Sequence, residues 1–592
     1  MPRLTRFHRL LLCGGCAAFC YLVGLGGPAL WEPDEGRYAE IAREMVVSGD
    51  YVTPRDNGVR YFEKPPLVYW AGALALRTIG RNEFAVRLPA ALASVGSVVV
   101  TAAAGELMLG PTVGTLAALA LGLSPLCFIF ARTATPDPLL ALFFTAALMA
   151  FYAAATRGDF RTGVSRRLMI AAAAMLALAT LVKGPVALLL GGAIATLWLV
   201  GEGRARALIR IRWPECVAIY LAITMPWFVL VAWRNPGFLA FFFLHEHVQR
   251  FLSATEHGWG PWFFIPMAIV GTWPFFYFAP TGVVALREST GSGATTTDRG
   301  AVRFLLIWFA TVLVFFSIPR SKLAEYLLPG LPPLAILAGA GLARLRTMEP
   351  VKVRRLLRWF AAINAAPVMA GAVGGYFLAR PTTHFMVQAA LAYGLKSPNA
   401  LLDDAVLLTA VVGIGGVWVR ALSPRRAPLG VGLLALLLCG VSAKARIDAT
   451  PLVSYRGLAN AIAPQLGHGC ALASYHHFVQ ALPFYTQTQE QLVGYRGELA
   501  PFGDAPAAAA AFIATDARLR DRWSAPACLV LIVNRADLAK LADLLKPPPV
   551  LLGCEGKKLA LSNQRPPVGF QPPPMVDPLE CAELPPLPTL RR

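Results

Sequence analysis

Two pairs of ionisable residues interrupt an otherwise apolar chain near its N-terminus. Adjacent carboxylates stand at Asp34 and Glu35, and a carboxylate–lysine pair stands at Glu63 and Lys64. Both pairs belong to one polar stretch, residues 31–70, which has an apolar segment before it and a largely apolar region after it. Ionisable groups at the mouth of a membrane usually do chemistry or hold a charged group such as a phosphate. We therefore place the candidate active site in this stretch.

The composition indicates a membrane protein. The chain has 592 residues, of which 56% are hydrophobic and 15% are charged, and its net charge is +20. Repeated apolar runs of about 20 residues are typical of transmembrane helices. The basic residues lie in alternate short loops, as membrane orientation requires, and they form no basic stripe with interleaved aromatic residues. The sequence therefore argues against nucleic-acid binding.

The apolar runs predict thirteen membrane spans. The first is an uncleaved helix rather than a signal peptide, because its apolar part is too long and no small-residue cleavage site stands before Trp31. Arginines and lysines concentrate in the loops after the even-numbered spans, which places the N-terminus in the cytoplasm and everything after residue 444 outside. The predicted spans are 9–30, 84–108, 112–131, 136–156, 168–182, 184–201, 215–233, 261–286, 302–319, 325–343, 356–379, 402–419 and 428–443.

The polar stretch itself predicts two short helices that lie along the membrane rather than across it. Between Asp34 and Asp50, apolar residues recur at helical spacing, opposite a polar face that includes Arg37, Glu40 and Glu44. A second apolar helix, residues 67–79, follows two prolines and is too short to span.

Other outer loops also carry polar residues. Asp137 ends the loop after span three, His245 and Arg250 lie in the long loop after span seven, and Tyr326 follows span nine. Lys183 occupies the turn between spans five and six on the same side. The cytoplasmic loops offer no comparable mixture of carboxylates, histidines and aromatic residues, so the sequence places function on the outer face.

A soluble domain is predicted from residue 448 to residue 592. Four strand-like runs, beginning near Cys470, Gln491, Cys528 and Pro549, alternate with helical patterns at 476–486, 505–522 and 535–546, which indicates an α/β unit. Four cysteines in an oxidising compartment predict two disulfides with three possible connectivities. These cysteines are Cys470, Cys528, Cys554 and Cys581.

Each candidate residue also has an ordinary structural interpretation. Asp34 before a helix is typical of an N-cap, and Asp137 between two prolines is typical of a turn. His245 and His247 do not share one helix face, so they give only a weak metal signal, although Glu63 adds an oxygen donor. Two outer carboxylates beside Lys64, Lys183 and Arg250 favour a functional site over either structural interpretation alone.

These motifs together resemble a known family. The Asp-Glu pair after the first span, the interfacial helix, EKPP, TPDP, HEHVQRF and SKLAEY are similar to the ArnT-like lipid-linked sugar transferases of the GT-C superfamily, which includes the protein O-mannosyltransferases. The resemblance implies a GT-C transmembrane catalytic domain over residues 1–447, with its periplasmic catalytic loop at 31–83. It also implies a periplasmic α/β domain over 448–592, and so a polytopic α-helical protein of the bacterial inner membrane.

The resemblance further implies an activity and a role for individual residues. The family moves 4-amino-4-deoxy-L-arabinose from undecaprenyl phosphate to lipid A phosphate. Asp34 matches the catalytic aspartate, Asp137 a second acidic position, and Glu35 is taken with them as a catalytic candidate. Glu63 and His245 match positions associated with a metal, so no cofactor is expected beyond a possible divalent cation. Positions that match the substrate cavity, or that join it as outer-face cations, are Lys64, Arg250, Tyr326, Arg37, Tyr38, Tyr61 and Lys183.

The chemistry of such a transfer agrees with these residue types. The leaving group is a polyprenyl phosphate, whose developing charge lysine and arginine can meet. A phosphate acceptor needs orientation by a carboxylate more than deprotonation, and direct displacement inverts the anomeric centre. The chain lacks a GxxxxGK[ST] motif, so the donor must arrive already activated. Alternatives are transfer of another polyprenyl-linked sugar, a protein acceptor, or a lipid-linked sugar flippase. A monomer is expected.

Overall fold

The protein consists of a helical membrane region followed by an α/β domain. The computed structural model describes residues 4–158, 160, 163–249, 258–288, 296–378, 398–503 and 506–565. The helices up to the α/β domain are α1 Arg6–Leu22, α2 Asp34–Ser48, α3 Leu67–Ile79, α4 Glu83–Leu109, α5 Pro111–Gly122, α6 Pro125–Ala131, α7 Asp137–Arg157, α8 Gly163–Lys183, α9 Val186–Gly201, α10 Ala207–Arg210, α11 Trp213–Arg234, α12 Phe264–Gly271, α13 Ala279–Glu288, α14 Thr296–Ser317, α15 Leu331–Arg344, α16 Pro350–Leu378, α17 Pro398–Ala421 and α18 Ala427–Val453.

The span count can be compared with the thirteen predicted spans. Within the described ranges, eight helices are long and apolar enough to cross a membrane, or ten if each of two bent helix pairs is one span. The bent pairs are α5 with α6, at 63°, and Pro261–Gly271 with Phe275–Leu286, at 95°. The other three predicted spans coincide with α1, α9 and α16. Helices α1 and α9 have 17 and 16 residues, which makes them short for a span. The polytopic helical class is confirmed.

The polar stretch folds as the sequence predicts over most of its length. Helix α2 ends at Gly49, whose φ of 71° is the left-handed conformation of a helix C-cap. Helix α3 has the predicted limits. Between them a small hairpin pairs β1, Arg55–Asp56, with β2, Val59–Arg60. Its turn residues Asn57 and Gly58 have φ values of 55° and 78°, as an Asn-Gly turn favours.

The C-terminal domain contains a six-stranded mixed sheet in the order β5-β4-β3-β6-β8-β7. Strands β3 to β6 are parallel, and β8 is antiparallel to both β6 and β7. The α/β prediction is confirmed, but the sequence analysis missed β5, β8 and the helix before β3. The elements are α19 Arg456–Gly467, β3 Ala471–Tyr475, α20 Ala481–Thr486, β4 Glu490–Val493, α21 Ala500–Gly503, β5 Phe512–Ile513, α22 Asp516–Ser524, β6 Leu529–Asn534, α23 Leu538–Leu541, β7 Val550–Glu555 and β8 Lys558–Ser562.

The C-terminal domain packs onto the polar face of α2. Backbone amides of Gln480 and Ala481 donate to the Glu32 carboxylate, at 3.0 and 2.7 Å. A Cβ on Gly36 would lie 2.6 Å from the Ala481 nitrogen, so only glycine permits this approach. Glu40 is fully buried as a result. The face of α2 that the sequence marks as polar is therefore an interface with the domain and not a surface in water.

A group of buried acids also lies at this interface, and we call it the docking cluster: Asp56 on β1, Glu490 on β4, and Glu40 and Glu44 on α2. The Asn57 side-chain amide donates to the Glu490 carbonyl at 2.7 Å and accepts from the Glu490 backbone amide at 2.8 Å. The side-chain oxygens of Asp56 and Glu490 are buried without a hydrogen-bond partner among the described residues. The hairpin and the sheet are thus joined next to carboxylates that water does not reach.

One predicted disulfide joins Cys470 to Cys528. Cys554 is also disulfide-bonded, while Cys581 lies outside the described residues. The six cysteines in the apolar segments remain free thiols. The expectation that the disulfides belong to the C-terminal domain is therefore confirmed for the described part of it.

Candidate active site at the outer ends of the spans

Asp34 is the first residue of α2 and is open to solvent. Its side chain is 45% exposed. Pro33 occupies the N-cap position of the helix, and the helix has no side-chain cap hydrogen bond. The capping interpretation of Asp34 therefore finds no support in the structure, and its carboxylate is accessible to a ligand.

Arg37 connects Asp34 to the C-terminal domain. Its Nη1 lies 3.5 Å from the Asp34 carboxylate, its Nε donates to Gln480 at 2.7 Å, and its Nη2 donates to Glu498 at 2.8 Å. Burial opposes the charge of Arg37, but the neighbouring Tyr61 and Glu498 raise its pKa well above the usual value. Arg37 therefore stays cationic beside Asp34, and Gln480 and Glu498 of the C-terminal domain hold it in place.

A second polar group lies at the start of α7. Asp137 is buried and accepts a hydrogen bond of 2.5 Å from Lys183, at the end of α8. The Lys183 ammonium stands 4.1 Å from the centre of the Tyr326 ring, within cation–π range. Asp137, Lys183 and Tyr326, from three separate parts of the chain, thus form one cluster.

The carboxylates of Asp34 and Asp137 both influence one residue of α2, Tyr38. Asp34 and Asp137 both exert an electrostatic effect on the Tyr38 hydroxyl. The ring of Tyr38 stacks on Tyr69 with centroids 5.9 Å apart. Burial is the main reason that the pKa of Tyr38 lies well above its usual value. The side of α2 that carries Tyr38 therefore faces a polar space bounded by both carboxylates.

Lys64 and Glu63 lie together at the entrance to α3. Their charged groups are 3.6 Å apart, and both side chains are largely buried. Glu63 acts electrostatically on Arg37 and on Tyr61. Tyr61 is buried, and its hydroxyl has no hydrogen-bond partner within the described residues. Lys64, Glu63 and Tyr61 thus extend the site around Arg37.

A small apolar crevice, with a cavity volume of about 20 Å³, lies beside these polar groups. It runs between α2, α3 and α4 and reaches the loop before Asp137, with Tyr38 and Thr135 among its few polar lining residues. The crevice marks where an apolar surface meets the polar site.

The candidate metal ligands do not come together in the described part of the chain. The Glu63 carboxylate faces the Lys64 ammonium. His245 is 54% exposed, lies 3.5 Å from the Glu246 carboxylate and stacks on Phe241. No group of three or more metal-ligating side chains converges among the described residues. The described residues thus form no metal centre, and a cation at Glu63 and His245 stays a prediction. Arg250 lies outside the described residues.

Glu35 occupies a different environment from that of its neighbour Asp34. Its side chain is 1% exposed and forms ion pairs with Arg87 on α4 and Arg446 on α18, at 2.7 and 2.9 Å. Burial alone would raise its pKa, but these two arginines lower it to about 2. Because its carboxylate is enclosed and ionised, Glu35 cannot meet a substrate, and the expectation that it is a catalytic residue is corrected.

Several of these residues escape sequence reasoning. Arg87 stands inside a predicted span, Arg446 follows the last span, and Gln480 and Glu498 belong to the C-terminal domain. An arginine within an apolar helix is costly without a partner, and this cost is the one signal that points to Arg87.

Two family matches cover different parts of the chain. Residues 63–230 match the dolichyl-phosphate-mannose-protein mannosyltransferase family. Residues 458–563 match the aminoarabinose transferase C-terminal domain. The chain therefore combines a membrane segment of the mannosyltransferase type with the C-terminal domain of the aminoarabinose transferases.

A relative from Pseudomonas fluorescens, named undecaprenyl phosphate-alpha-4-amino-4-deoxy-L-arabinose arabinosyl transferase 1, is 30% identical over 74% of this chain and 74% of its own length. The chain belongs to the aminoarabinose transferase family. A transferase of the same name from Edwardsiella ictaluri is 34% identical, over 57% of this chain. That match spans 59% of the Edwardsiella protein, so the chain matches less than two thirds of that relative.

Solved structures extend the similarity to the fold. The crystal structure of ArnT from Cupriavidus metallidurans bound to undecaprenyl phosphate matches with a TM-score of 0.79 and 26% identity, over 95% of this chain and 99% of that one. The archaeal oligosaccharyltransferase AglB from Archaeoglobus fulgidus matches with a TM-score of 0.51 at 12% identity, over 90% of this chain and 70% of that one. The second match concerns the fold alone. The aminoarabinose transferase fold therefore covers nearly the whole chain.

Proposed function

We propose that the protein is a membrane glycosyltransferase that moves 4-amino-4-deoxy-L-arabinose from undecaprenyl phosphate to a lipid A phosphate. The observation that carries the proposal is the site itself. An accessible carboxylate, Asp34, and a cationic group of Arg37, Lys64 and Lys183 stand at the outer ends of the spans beside an apolar crevice. The match to a structure bound to undecaprenyl phosphate supports the same donor class.

The reaction follows from the charges of its parts. An oxygen of the acceptor phosphate attacks the anomeric carbon as the bond to the phosphate of undecaprenyl phosphate breaks. The acceptor is already ionised, so Asp34 orients it and no general base is needed. Negative charge grows on the departing phosphate, where Lys64 and Arg37 stabilise it. Direct displacement on the face opposite the leaving group inverts the anomeric centre.

The position of the ionisable residues along the chain helps to distinguish a transferase from a transporter. Transporters usually place ionisable residues near mid-membrane on broken helices. Here Asp34 and Lys64 lie on or beside the interfacial helices α2 and α3. A second candidate function is transfer of another polyprenyl-linked sugar or transfer to a protein, which the mannosyltransferase match over residues 63–230 favours.

The orientation of the chain belongs to this proposal. We place the N-terminus in the cytoplasm of a bacterium and the C-terminal domain in the periplasm, as a multi-pass protein of the inner membrane that acts as a monomer. Topology reporters fused after residue 450 and after residue 205 should report opposite sides of the membrane, with 450 periplasmic. A cytoplasmic report at residue 450 would remove the proposed site from the lipid A side.

The decisive experiment replaces the accessible carboxylate. Asp34→Asn keeps the shape of the side chain and removes its charge, and we expect transfer to fall by about 100-fold, the loss expected when a reacting group is misplaced. Transfer is measured by mass spectrometry of lipid A incubated with purified protein and undecaprenyl phosphate-linked aminoarabinose. Asp521→Asn is the matched control, because Asp521 is exposed on α22 of the C-terminal domain and should leave the rate unchanged. Wild-type rates for Asp34→Asn would place the catalytic centre elsewhere.

The same assay separates the alternatives. Wild-type protein that transfers a different polyprenyl-linked sugar, or that labels a protein acceptor, would favour the second candidate function. Movement of the lipid-linked sugar across a vesicle without transfer to any acceptor would favour a transporter. Either result would replace the proposed substrate pair.

A further inference from the structure

The Glu35 carboxylate lies where four separate segments of the chain meet. Oε1 accepts hydrogen bonds from Arg87 Nε at 2.8 Å and from the Ala134 amide at 2.9 Å. Oε2 accepts from the Trp31 amide, Arg87 Nη2 and Arg446 Nη2, at 3.0, 2.7 and 2.9 Å. Five donors thus surround one carboxylate that water does not reach, and together they leave it little freedom to move.

One partner segment leads directly to the second acidic position of the site. Ala134 and Thr133 belong to the loop that precedes Asp137 on α7. Glu35 accepts from the Ala134 amide, and Arg446 donates to the Thr133 hydroxyl at 2.6 Å while it bonds Glu35. The loop before Asp137 is therefore attached to the first turn of α2 at two successive residues.

The other partners hold the entry to α2. Arg87 donates to the carbonyl groups of Leu25, Pro28 and Ala29, in the turn between α1 and α2. The Arg446 guanidinium lies 4.5 Å from the centre of the Trp31 ring. The chain before Glu35 is thus bound to α4 and α18, so α2 has a defined starting point.

We propose that Glu35 is a positioning residue that sets the Asp34 carboxylate relative to the Asp137 carboxylate. Successive residues on a helix point about 100° apart. Once five hydrogen bonds have fixed Glu35, the direction of Asp34 is fixed as well. The loop that ends at Asp137 is held by the same carboxylate. The inference rests on the proposed function, to which it adds that Asp137, paired with Lys183, faces the same substrate as Asp34.

An amide in place of the carboxylate breaks this arrangement without creating a cavity. Every partner of Glu35 is a hydrogen-bond donor, and the amide of glutamine presents two N–H groups where the carboxylate presents an oxygen. The amide nitrogen of the substituted side chain must then face a donor. The loop or the helix start has to move, and a displacement of about 1 Å at a reacting group costs about 100-fold in rate.

The test compares Glu35→Gln with the wild-type protein in the transfer assay. We expect kcat to fall about 100-fold while the KM for the undecaprenyl-phosphate sugar stays within about twofold, because Arg37 keeps its hydrogen bonds to Gln480 and Glu498 and Lys64 lies outside α2. Rates are normalised to folded protein from gel filtration and thermal unfolding. A merely structural role would reduce the amount of folded protein and leave kcat of the folded fraction at the wild-type value, which would overturn the proposal.

Two further variants keep the test decisive if Glu35→Gln does not fold. Thr133→Val removes one hydroxyl from the same connection and should lower kcat by about fivefold to tenfold, the loss expected for one hydrogen bond. Wild-type kcat in Thr133→Val would then count against the proposal. Glu106→Gln is the matched control: its ion pair with Arg9, 2.5 Å long, connects α4 to α1 at the opposite end of α4 from Arg87 and should not affect kcat.

A readout without sugar transfer distinguishes this inference from the proposed function. Asp34→Cys and Asp137→Cys are combined and joined with a short bifunctional thiol reagent, and the yield is compared with and without Glu35→Gln. The free thiols of the described chain lie in apolar segments. A lower yield with Glu35→Gln supports the positioning role even if the wild-type protein transfers no sugar. An unchanged yield overturns it.

Discussion

Two groups of buried carboxylates hold the outer side of this protein together, and they are built in opposite ways. Glu35 is surrounded by five hydrogen-bond donors, including two arginines. The docking cluster, which joins α2 and the hairpin to the C-terminal domain, contains Asp56 and Glu490, whose side-chain oxygens are buried without partners among the described residues. One group is a saturated ion network. The other mixes acids that have a partner, since Glu40 pairs with Arg43 and Glu44 accepts from the Gly58 amide, with Asp56, whose oxygens have none among the described residues.

The difference determines which protonation state each group prefers. Burial raises the pKa of Glu44 to about 8, with help from neighbouring Glu40, and burial places the pKa of Asp56 well above its usual value despite the opposing effect of Arg37. The arginines lower the pKa of Glu35 to about 2 in spite of its burial. The connection within the membrane region is therefore ionic at every physiological pH, whereas the docking cluster favours protonated acids.

The largest expected effect comes from breaking the saturated network. Arg87→Met leaves Glu35 buried beside Arg446 alone, and loss of one partner of a buried ion pair costs about 3–5 kcal/mol. We expect a large drop in the thermal unfolding midpoint in detergent. Arg303→Met is the control, since the Arg303–Glu202 pair is about half exposed on the arginine side and should contribute less than about 1 kcal/mol. Equal drops in both variants would contradict the comparison.

Removing the disulfide tests the stability of the C-terminal domain separately from its contact with α2. Cys470 and Cys528 close a loop of 58 residues at the start of β3. Replacing both by serine should lower the stability of the domain by about 2–4 kcal/mol. Protease susceptibility of the domain reports this loss. Transfer activity at low temperature should persist, because neither cysteine contacts the candidate site, and its abolition would show that the domain shapes the site more directly.

The smallest effect is a pH dependence of docking. An acid whose pKa is raised in the folded protein stabilises it at low pH and loses that contribution as pH rises from about 4.5 through about 8. The unfolding midpoint should therefore fall between about pH 4.5 and pH 8, and Glu44→Gln should flatten the fall because an amide does not ionise. Glu349→Gln, at an exposed carboxylate, is the control and should leave the slope unchanged. A wild-type slope in Glu44→Gln would exclude this acid as the source.

The pKa of Glu35 is shifted in the opposite direction, so its contribution to stability depends on pH with the opposite sign and no separate variant is needed. Its lowered pKa means that its contribution is complete above about 4.5 and is lost only as pH falls toward about 2. Between neutral and alkaline pH it contributes no slope. Other groups at the interface also titrate in this range, since burial raises the pKa of Glu32 to about 7 and lowers the pKa of Lys558 to about 8. Glu44→Gln isolates the contribution of Glu44 from theirs.

The sequence predicts local structure well where a single helix or turn decides it. Apolar spacing locates α2 and α3, and the left-handed Gly49 ends α2 as expected. Strand composition identifies the α/β domain, but it misses β5, which has two residues, and β8, whose run continues beyond a short turn after β7. Short strands are defined by their neighbours in the sheet, and that information is not local.

The sequence predicts which types of residue form the candidate site, but it does not show which residue has which role. Asp34, Asp137 and Lys183 stand out because they are charged residues at the ends of apolar runs. The sequence does not show that Glu35 is buried and paired while Asp34 is accessible. That difference depends on Arg87 and Arg446, which are 52 and 411 residues away from Glu35. A carboxylate becomes structural or accessible through partners that only the folded chain brings near.

That long separation has a consequence for how the protein is made. Arg446 lies on α18, the last helix before the C-terminal domain, yet it completes the surroundings of a residue near the start of the chain. While the ribosome is still producing the middle spans, Glu35 has Arg87 available and lacks Arg446. The surroundings of Glu35 are therefore complete only after α18 has been made, and a chain that ends before α18 lacks one of the two arginines that hold this carboxylate.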